Sequence, residues 1–278
     1  MIGWQKPFRG TQLNKTHPLS KGLVGAWIMN EATGEIVHNA VQHNYGKFAS
    51  TSSASNPIWN GSGVEFTNPK TRSGINLYTY SWLEVQSHTV FFVIRSLDTY
   101  SSDSEKRSLL TKENITSDGY EWVINSSGQI EYAFQGTATR GWFTLTNKIV
   151  PLNTPTTVCL MADHIGGTIN GYIDGVWAGQ DNMTAESITH NNTREAYIGA
   201  RGFNDYDEFD GTIEAVYLFD RVLSAPEAIY LHREPYCMFT KLLDIGAMLY
   251  TAPVVGGSII NQFQKANLGA DLFNGSLI

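Results

Sequence analysis

This chain of 278 residues predicts an all-β protein, two antiparallel sheets packed as a sandwich, with one short helix near residues 225–233. Three observations carry that expectation. Short segments rich in aromatic and β-branched residues recur, each bounded by Gly, Asn, Ser or Asp, as strands separated by turns require. The 26 glycines, 13 tyrosines, 13 phenylalanines and 7 tryptophans suit a chain of many turns and pleated, partly buried surfaces. A helix signature is read once, at its C-terminal end, and no period of 20 to 50 residues repeats, which sets solenoids and propellers aside.

Taken in order, residues 1–21 carry two prolines and no hydrophobic period, so they read as an extended N-terminal arm. Leu23 to Met29 is nearly all apolar, as expected of a strand buried between two sheets, and Asn30-Glu31-Ala32-Thr33-Gly34 ends it with turn chemistry. Strands follow at Thr89 to Ile94, Ser108 to Thr111, Tyr120 to Ile124 and Gln129 to Phe134, the last two joined into a hairpin by Asn125-Ser126-Ser127-Gly128. Thr156 to Ala162, Thr168 to Ile173 and Val176 to Gly179 extend the series as an antiparallel meander, turning at Asp174-Gly175. Ser224-Ala225-Pro226-Glu227 then places Ser at a helix N-cap, Glu three residues on and Pro in the first turn. Pro235 stops that helix.

Composition narrows the function classes. Charged residues make up 16% of the chain against about 25% in an average protein, so the surface is neutral and polar. A net charge of −7 offers no positive field to attract nucleic acid or an anionic membrane. The longest charge-free apolar run toward the C-terminus, between Asp244 and Asn261, is broken by Pro253, Gly256 and Gly257 and is too short to span a bilayer. The first twenty residues lack the apolar stretch of a secretion signal, so synthesis in a cytoplasm without export is expected. Cys159 and Cys237 are too few for a disulfide scaffold, and no bridge between them is expected.

Several segments together resemble the concanavalin-A-like, laminin-G-like jelly-roll family. They are Gly22-Leu23-Val24-Gly25-Ala26-Trp27 with its acidic turn, Thr168-Ile169-Asn170-Gly171-Tyr172-Ile173-Asp174-Gly175, Ala196-Tyr197-Ile198-Gly199, Phe209-Asp210-Gly211-Thr212-Ile213-Glu214-Ala215-Val216 and Leu223-Ser224-Ala225-Pro226-Glu227. The resemblance runs over residues 22–236, which it implies are one jelly-roll domain. Trp4-Gln5-Lys6-Pro7, Gly10 to Asn14, His17-Pro18-Leu19 and Arg233-Glu234-Pro235-Tyr236 resemble versions of this domain encoded among tailed-phage structural genes. That implies a non-enzymatic virion protein, either head decoration or a fibre-like surface component, with other capsid or tail proteins as partners. A glycan-binding lectin module, with a cell-surface glycan as ligand, is the alternative, and a glycoside hydrolase the third.

Candidate site residues follow from these readings. Glu208, Asp210 and Glu214 raise the question of paired carboxylates, which retaining glycosidases hold about 5 to 5.5 Å apart. The Glu-x-Asp-x-x-Glu pattern of the resembling laminarinase-like enzymes is broken by Ile213, so no catalytic residue is assigned. The resemblance implies calcium between the opening acidic turn and the closing strand, at Glu31, Asn39 and Glu214, although Asn39 and Glu214 stand where the family prefers Asp. The seven histidines show no zinc spacing. Trp142 and Tyr206 are the aromatic candidates for a sugar platform in loops at the rim, whereas Trp27, Trp82 and Trp122 are assigned to the core. Residues 237–278 read as an assembly segment: Val254, Val255, Ile259, Ile260, Phe263 and Phe273 are apolar, in short Gly-broken runs that cannot form a core alone. Such runs become stable as strands added to another subunit, in a homo-oligomer such as a trimer or on a shell.

Overall fold

The structure, a computed structural model, describes residues 4–50, 56–66, 73–97, 106–112, 118–136, 140–191, 193–201 and 208–239. The chain divides into two units, residues 1–240 and 241–278, and the second lies outside the described residues, with every assembly position named above. The described strands are β1 (Leu23–Trp27), β2 (Ile36–His38), β3 (Tyr45–Ala49), β4 (Ile58–Trp59), β5 (Val64–Phe66), β6 (Gly74–Tyr78), β7 (His88–Ser96) and β8 (Arg107–Lys112). They continue with β9 (Tyr120–Ile124), β10 (Ile130–Gln135), β11 (Arg140–Leu145), β12 (Thr156–Asp163), β13 (Thr168–Ile173), β14 (Val176–Asn182), β15 (Ala196–Ile198) and β16 (Gly211–Phe219). One α-helix, α1 (Ala225–Arg233), follows.

The first sheet runs β14-β13-β12-β7-β16-β5-β4, with β1 also paired to β16; the second runs β11-β10-β9-β8-β15-β6-β3-β2. The pairings within both sheets are antiparallel, and the neighbours β7·β16 and β8·β15 are far apart in sequence, as a jelly roll requires. The expected all-β sandwich with one short helix is the observed architecture, and the helix occupies the expected residues.

Two apolar layers hold it. Between the sheets lie Val90, Phe92 and Ile94 of β7, Val158 and Leu160 of β12 and Val216 and Leu218 of β16, against Trp122, Tyr132 and Phe134 of the second sheet. The alternate residues of the same strands, Phe91, Val93, Cys159, Met161, Tyr217 and Phe219, form a second core on the outer side of the first sheet. Side chains alternate across a strand, so strands apolar at every position need a layer on both faces. Helix α1 supplies part of that outer layer through Ala228 and Leu231, the arm supplies Trp4, Leu13 and Leu19, and Met238 and Phe239 complete it. The first residues of the expected assembly segment therefore belong to the sandwich itself. Trp27 and Trp122 are core residues as expected, and Trp82 packs against that core, stacked on Tyr80.

Helix α1 begins where its sequence says it should. The Glu227 carboxylate accepts from the Ser224 backbone N–H at 2.8 Å and is held bidentately by Arg221 at 2.7 and 3.1 Å. That pair, with Ser224, keeps the Glu227 carboxyl at about 2, below the usual carboxylate range. Cys159 and Cys237 are both free. Among the described residues no helix is long and apolar enough to cross a membrane.

The sandwich interior also holds polar groups. The Trp122 indole N–H donates to His88 Nε2 at 3.1 Å, and His88 Nδ1 lies 2.6 Å from the Gln86 carbonyl, which fixes the proton on Nδ1. His164 repeats the arrangement: its Nδ1 is 3.0 Å from the Glu186 carbonyl, so Nε2 accepts from the Tyr132 hydroxyl at 2.8 Å. The two rings stack at 6.3 Å. Spaced far apart in sequence, these histidines give no local signal of their meeting.

Candidate functional site

The outer face of the second sheet is built from single polar residues inside otherwise apolar strands. Trp122, Tyr132, Phe134, Phe143 and Leu145 point into the core or pack against it, so alternation sends Glu121, Glu131, Ala133, Trp142 and Thr144 to the opposite face. The register then lines these up into a row across seven strands: Trp142, Ala133, Glu121, Thr111, Tyr197, Asn76 and Lys47, each opposite the next. Thr144, Glu131, Val123 and Ser108 form the neighbouring row.

At the β11 end of the first row the half-buried Trp142 is flanked by two cations. Lys106 Nζ lies 2.9 Å from the indole ring centroid, and the Arg201 guanidinium carbon lies 5.8 Å from it. Each cation is oriented by a carboxylate from the same face. Lys106 pairs with Glu131 at 2.7 Å, and Glu131 also accepts from Asn125 Nδ2 at 2.8 Å. Arg201 pairs at 3.0 Å with Glu121, whose carboxylate has no solvent exposure and accepts from Ser108 Oγ at 3.0 Å. Further along the row, the Tyr197 hydroxyl donates to Glu195 and is itself 3.5 Å from Asn76 Nδ2. A half-buried indole beside N–H donors held in place by carboxylates can stack on a flat ligand and donate to its hydroxyls.

Sequence reasoning placed Trp142 in a rim loop; it sits on strand β11, whose Gly141, Phe143 and Leu145 alternate with Trp142 and Thr144. Tyr206 lies outside the described residues. Lys106, Glu121, Glu131 and Arg201 were not singled out from the sequence. The lone acid within Tyr120 to Ile124, and that within Ile130 to Gln135, was the available signal, because an isolated charge in an apolar strand marks its outward face.

The three positions expected around calcium are arranged differently from a ligand set. Asn39 Oδ1 already accepts from the Ala26 and Val41 backbone N–H groups, at 3.0 Å each. Glu31 is buried, with Oε1 accepting from the His38 N–H at 2.7 Å. Glu214 is the extra residue of a bulge in β16, between Ile213 and Ala215, which retain their partners on β7. Burial raises its carboxyl above the usual range, opposed by Lys6 and Arg95. Lys6 reaches into the same place from the arm, and burial lowers its ammonium to about 8 against the pull of Glu214 and Glu31. Among the described residues no three His, Cys, Asp or Glu side chains are grouped to hold a metal. Of the other carboxylates considered for hydrolysis, Glu208 is buried and Asp210 precedes β16, its carbonyl accepting from the Leu97 N–H at 3.0 Å.

A two-sheet antiparallel sandwich with a polar outer face on one sheet defines the class of protein: a jelly roll of the lectin type. The chain belongs to the concanavalin A-like lectin/glucanases superfamily, whose family pattern matches residues 60–228. No curated protein sequence matches it. Among solved structures, the Trypanosoma rangeli sialidase in complex with sialic acid is similar, with a TM-score of 0.57 and 15% identity over 79% of this chain and 34% of the sialidase. The binding domain of Paraclostridial Mosquitocidal Protein 1 superposes with a TM-score of 0.58 at 12% identity, over 76% of this chain and 52% of that one. The receptor binding domain of botulinum neurotoxin D does so with a TM-score of 0.55 at 12% identity and the same coverage. This chain thus spans between a third and about half of those proteins, and at such identities the likeness is one of fold.

Proposed function

We propose that this chain is a non-enzymatic, lectin-like binding module that takes a carbohydrate on the outer face of the second sheet, at Trp142. The observation that carries the proposal is the indole flanked by Lys106 and Arg201, each held in place by a carboxylate of the same face. Membership of a superfamily that includes lectins supports the carbohydrate reading. The module acts as a head decoration or fibre-like component of a tailed-phage virion, a reading supported by the phage-like flanks of the sequence, and residues 240–278 join it to other virion proteins or to copies of itself.

Binding to an array of neutral and acidic glycans tests the first part. Trp142→Ala is expected to weaken the best ligand at least tenfold, the usual effect of removing a central aromatic anchor, with an unchanged circular dichroism spectrum. Absence of any glycan ligand, or binding that survives the substitution, would overturn the assignment; sugar release from a polysaccharide panel would replace it with a hydrolase. For the second part, truncation after Phe239 retains both cores and is expected to yield a folded, soluble domain that no longer oligomerises or joins particles. Assembly equal to that of the full chain would remove the role given to the C-terminal segment.

A further inference from the structure

The place where the fold family would hold calcium is reached in this chain by a side chain from the N-terminal arm. Lys6 Nζ donates to the Met29 carbonyl at 2.8 Å and to the Ser62 carbonyl at 2.5 Å. Met29 belongs to the turn that follows β1 and has a left-handed backbone, φ 45°, uncommon for a residue with a side chain. Glu31 comes from the same turn, with Oε2 buried and without a hydrogen-bond partner among the described residues. Glu214 comes from the β16 bulge, and both carboxylates act electrostatically on Lys6. Two main-chain carbonyls and two carboxylates are the oxygen donors a hard divalent cation uses. Here the two carbonyls accept from an ammonium on which the two carboxylates act electrostatically without a close ion pair, and the amide oxygen of Asn39, the third expected ligand, is spent on two backbone N–H groups. The residues present therefore do not fit calcium while the arm is docked.

We infer that Lys6 is the built-in cation of this site: its ammonium takes the position of the metal, fastens the arm across the turn after β1, and makes the sandwich independent of calcium. The neighbouring contacts serve the same end. Asn30 Nδ2 donates to the Pro7 carbonyl at 3.0 Å, pinning the residue after Lys6. Trp4 packs edge-on against His232 of α1 and joins the second core. The arm is thus anchored on both sides of Lys6. An open cleft of about 500 Å³, lined by Arg9, Glu31, Glu35, His38 and Tyr45, leads a solvent ion to Glu31 once the ammonium is gone.

The test compares calcium with a chelator. For the full-length protein, the thermal midpoint in millimolar CaCl₂ is expected to match that in EDTA within 1 °C, with no calcium uptake by calorimetry. Lys6→Met leaves two carboxylates and two carbonyls without a cation. It is expected to melt lower in EDTA, to recover in CaCl₂ by several degrees, and to bind one Ca²⁺ at least tenfold more tightly than the parent. Adding Glu214→Gln to Lys6→Met should abolish the gained site. Trypsin should cleave after Arg9 faster in Lys6→Met with calcium as well as without it, because calcium restores the charge and not the tether. If Lys6→Met does not fold in EDTA, calcium during refolding is expected to rescue it; Lys6→Gln, which keeps an N–H for one carbonyl, provides the milder variant. Calcium stabilisation of the parent protein would overturn the inference. So would Lys6 variants that gain no calcium response, or that fail to fold even with calcium present.

Discussion

Lowering the pH from 7 to 4.5 is expected to remove about 5 kcal/mol of folding stability, mostly through His88 and His164. Both rings are buried between the sheets and neutral, with Nε2 accepting from Trp122 in one case and from Tyr132 in the other. Burial pushes His88 down to about 3 and His164 down to about 4. A histidine in the unfolded chain titrates near 6.5, so between about 6.5 and 4 the unfolded state binds protons that the folded state does not. The stability these groups contribute is complete above the unfolded value and is lost as the pH falls below it, by about 1.4 kcal/mol per pH unit for each proton. Two units below 6.5 the two sites together account for the 5 kcal/mol, to within the coupling of stacked rings. His190 and His232 are also lowered by burial and act in the same direction. Glu227, held at about 2, adds its loss below the carboxylate range instead, so it falls outside this window. Urea unfolding at pH 7, 6, 5 and 4.5 measures the slope, and His88→Gln or His164→Gln should each remove roughly half of it. A midpoint that stays level across that range, or variants with the parent's slope, would show that the rings protonate in place.

Gly211→Ala is expected to destabilise the domain by about 2 to 6 kcal/mol. Gly211 opens β16 with φ 137°, where an L residue is strained by about 1 to 3 kcal/mol. It also lies between two strands, paired with Phe66 of β5 on one side and Ser96 of β7 on the other. A methyl group there would overlap the Arg95 carbonyl oxygen, a backbone atom that cannot move without breaking the β7·β16 ladder, and overpacking adds about 1 to 3 kcal/mol. Gly10 separates the two causes. Its φ is 83°, but a methyl group there would meet nothing within 4 Å, so Gly10→Ala carries backbone strain alone and should cost less than Gly211→Ala. Denaturant midpoints at equal slope read both changes. Stability of Gly211→Ala within 1 kcal/mol of the parent would show that the β7·β16 pairing yields more readily than the geometry implies.

Local chemistry made much of the fold legible. Ser224, Pro226 and Glu227 located α1 to the residue, because a cap, a first-turn proline and a reciprocal carboxylate act within one helical turn. Asn125 to Gly128 located the β9·β10 hairpin, with Gly128 at φ 77°. The strands between β1 and β7 that escaped reading, β2 to β6, are two to five residues long, and two of them contain glycine. Strands that short carry too few alternations to stand out, and they exist because β15 offers an edge to β6 and β16 to β5, with β3 and β2 added beyond β6. Strand β11 escaped for another reason: its outward tryptophan looked like a loop aromatic until the Phe143 and Leu145 side of the strand was seen to face the core.

What the sequence determined by itself is therefore the type of the longer apolar strands and of the helix, their turns and the acidic positions that interrupt apolar strands, since those follow from contacts within a few residues. The tertiary structure alone decided which of those acids meet which cations. Glu121 faces Arg201 and Glu131 faces Lys106 only once strand order and register are set, and Lys6 meets Met29, Ser62, Glu31 and Glu214 only because the arm crosses the end of β1 beside the β16 bulge. The same holds for His88 and His164, which stack although they are 76 positions apart and neither occurs in a motif. Sheet pairing acts between segments distant in the chain, so the side chains it brings together share no local pattern from which their meeting could be read.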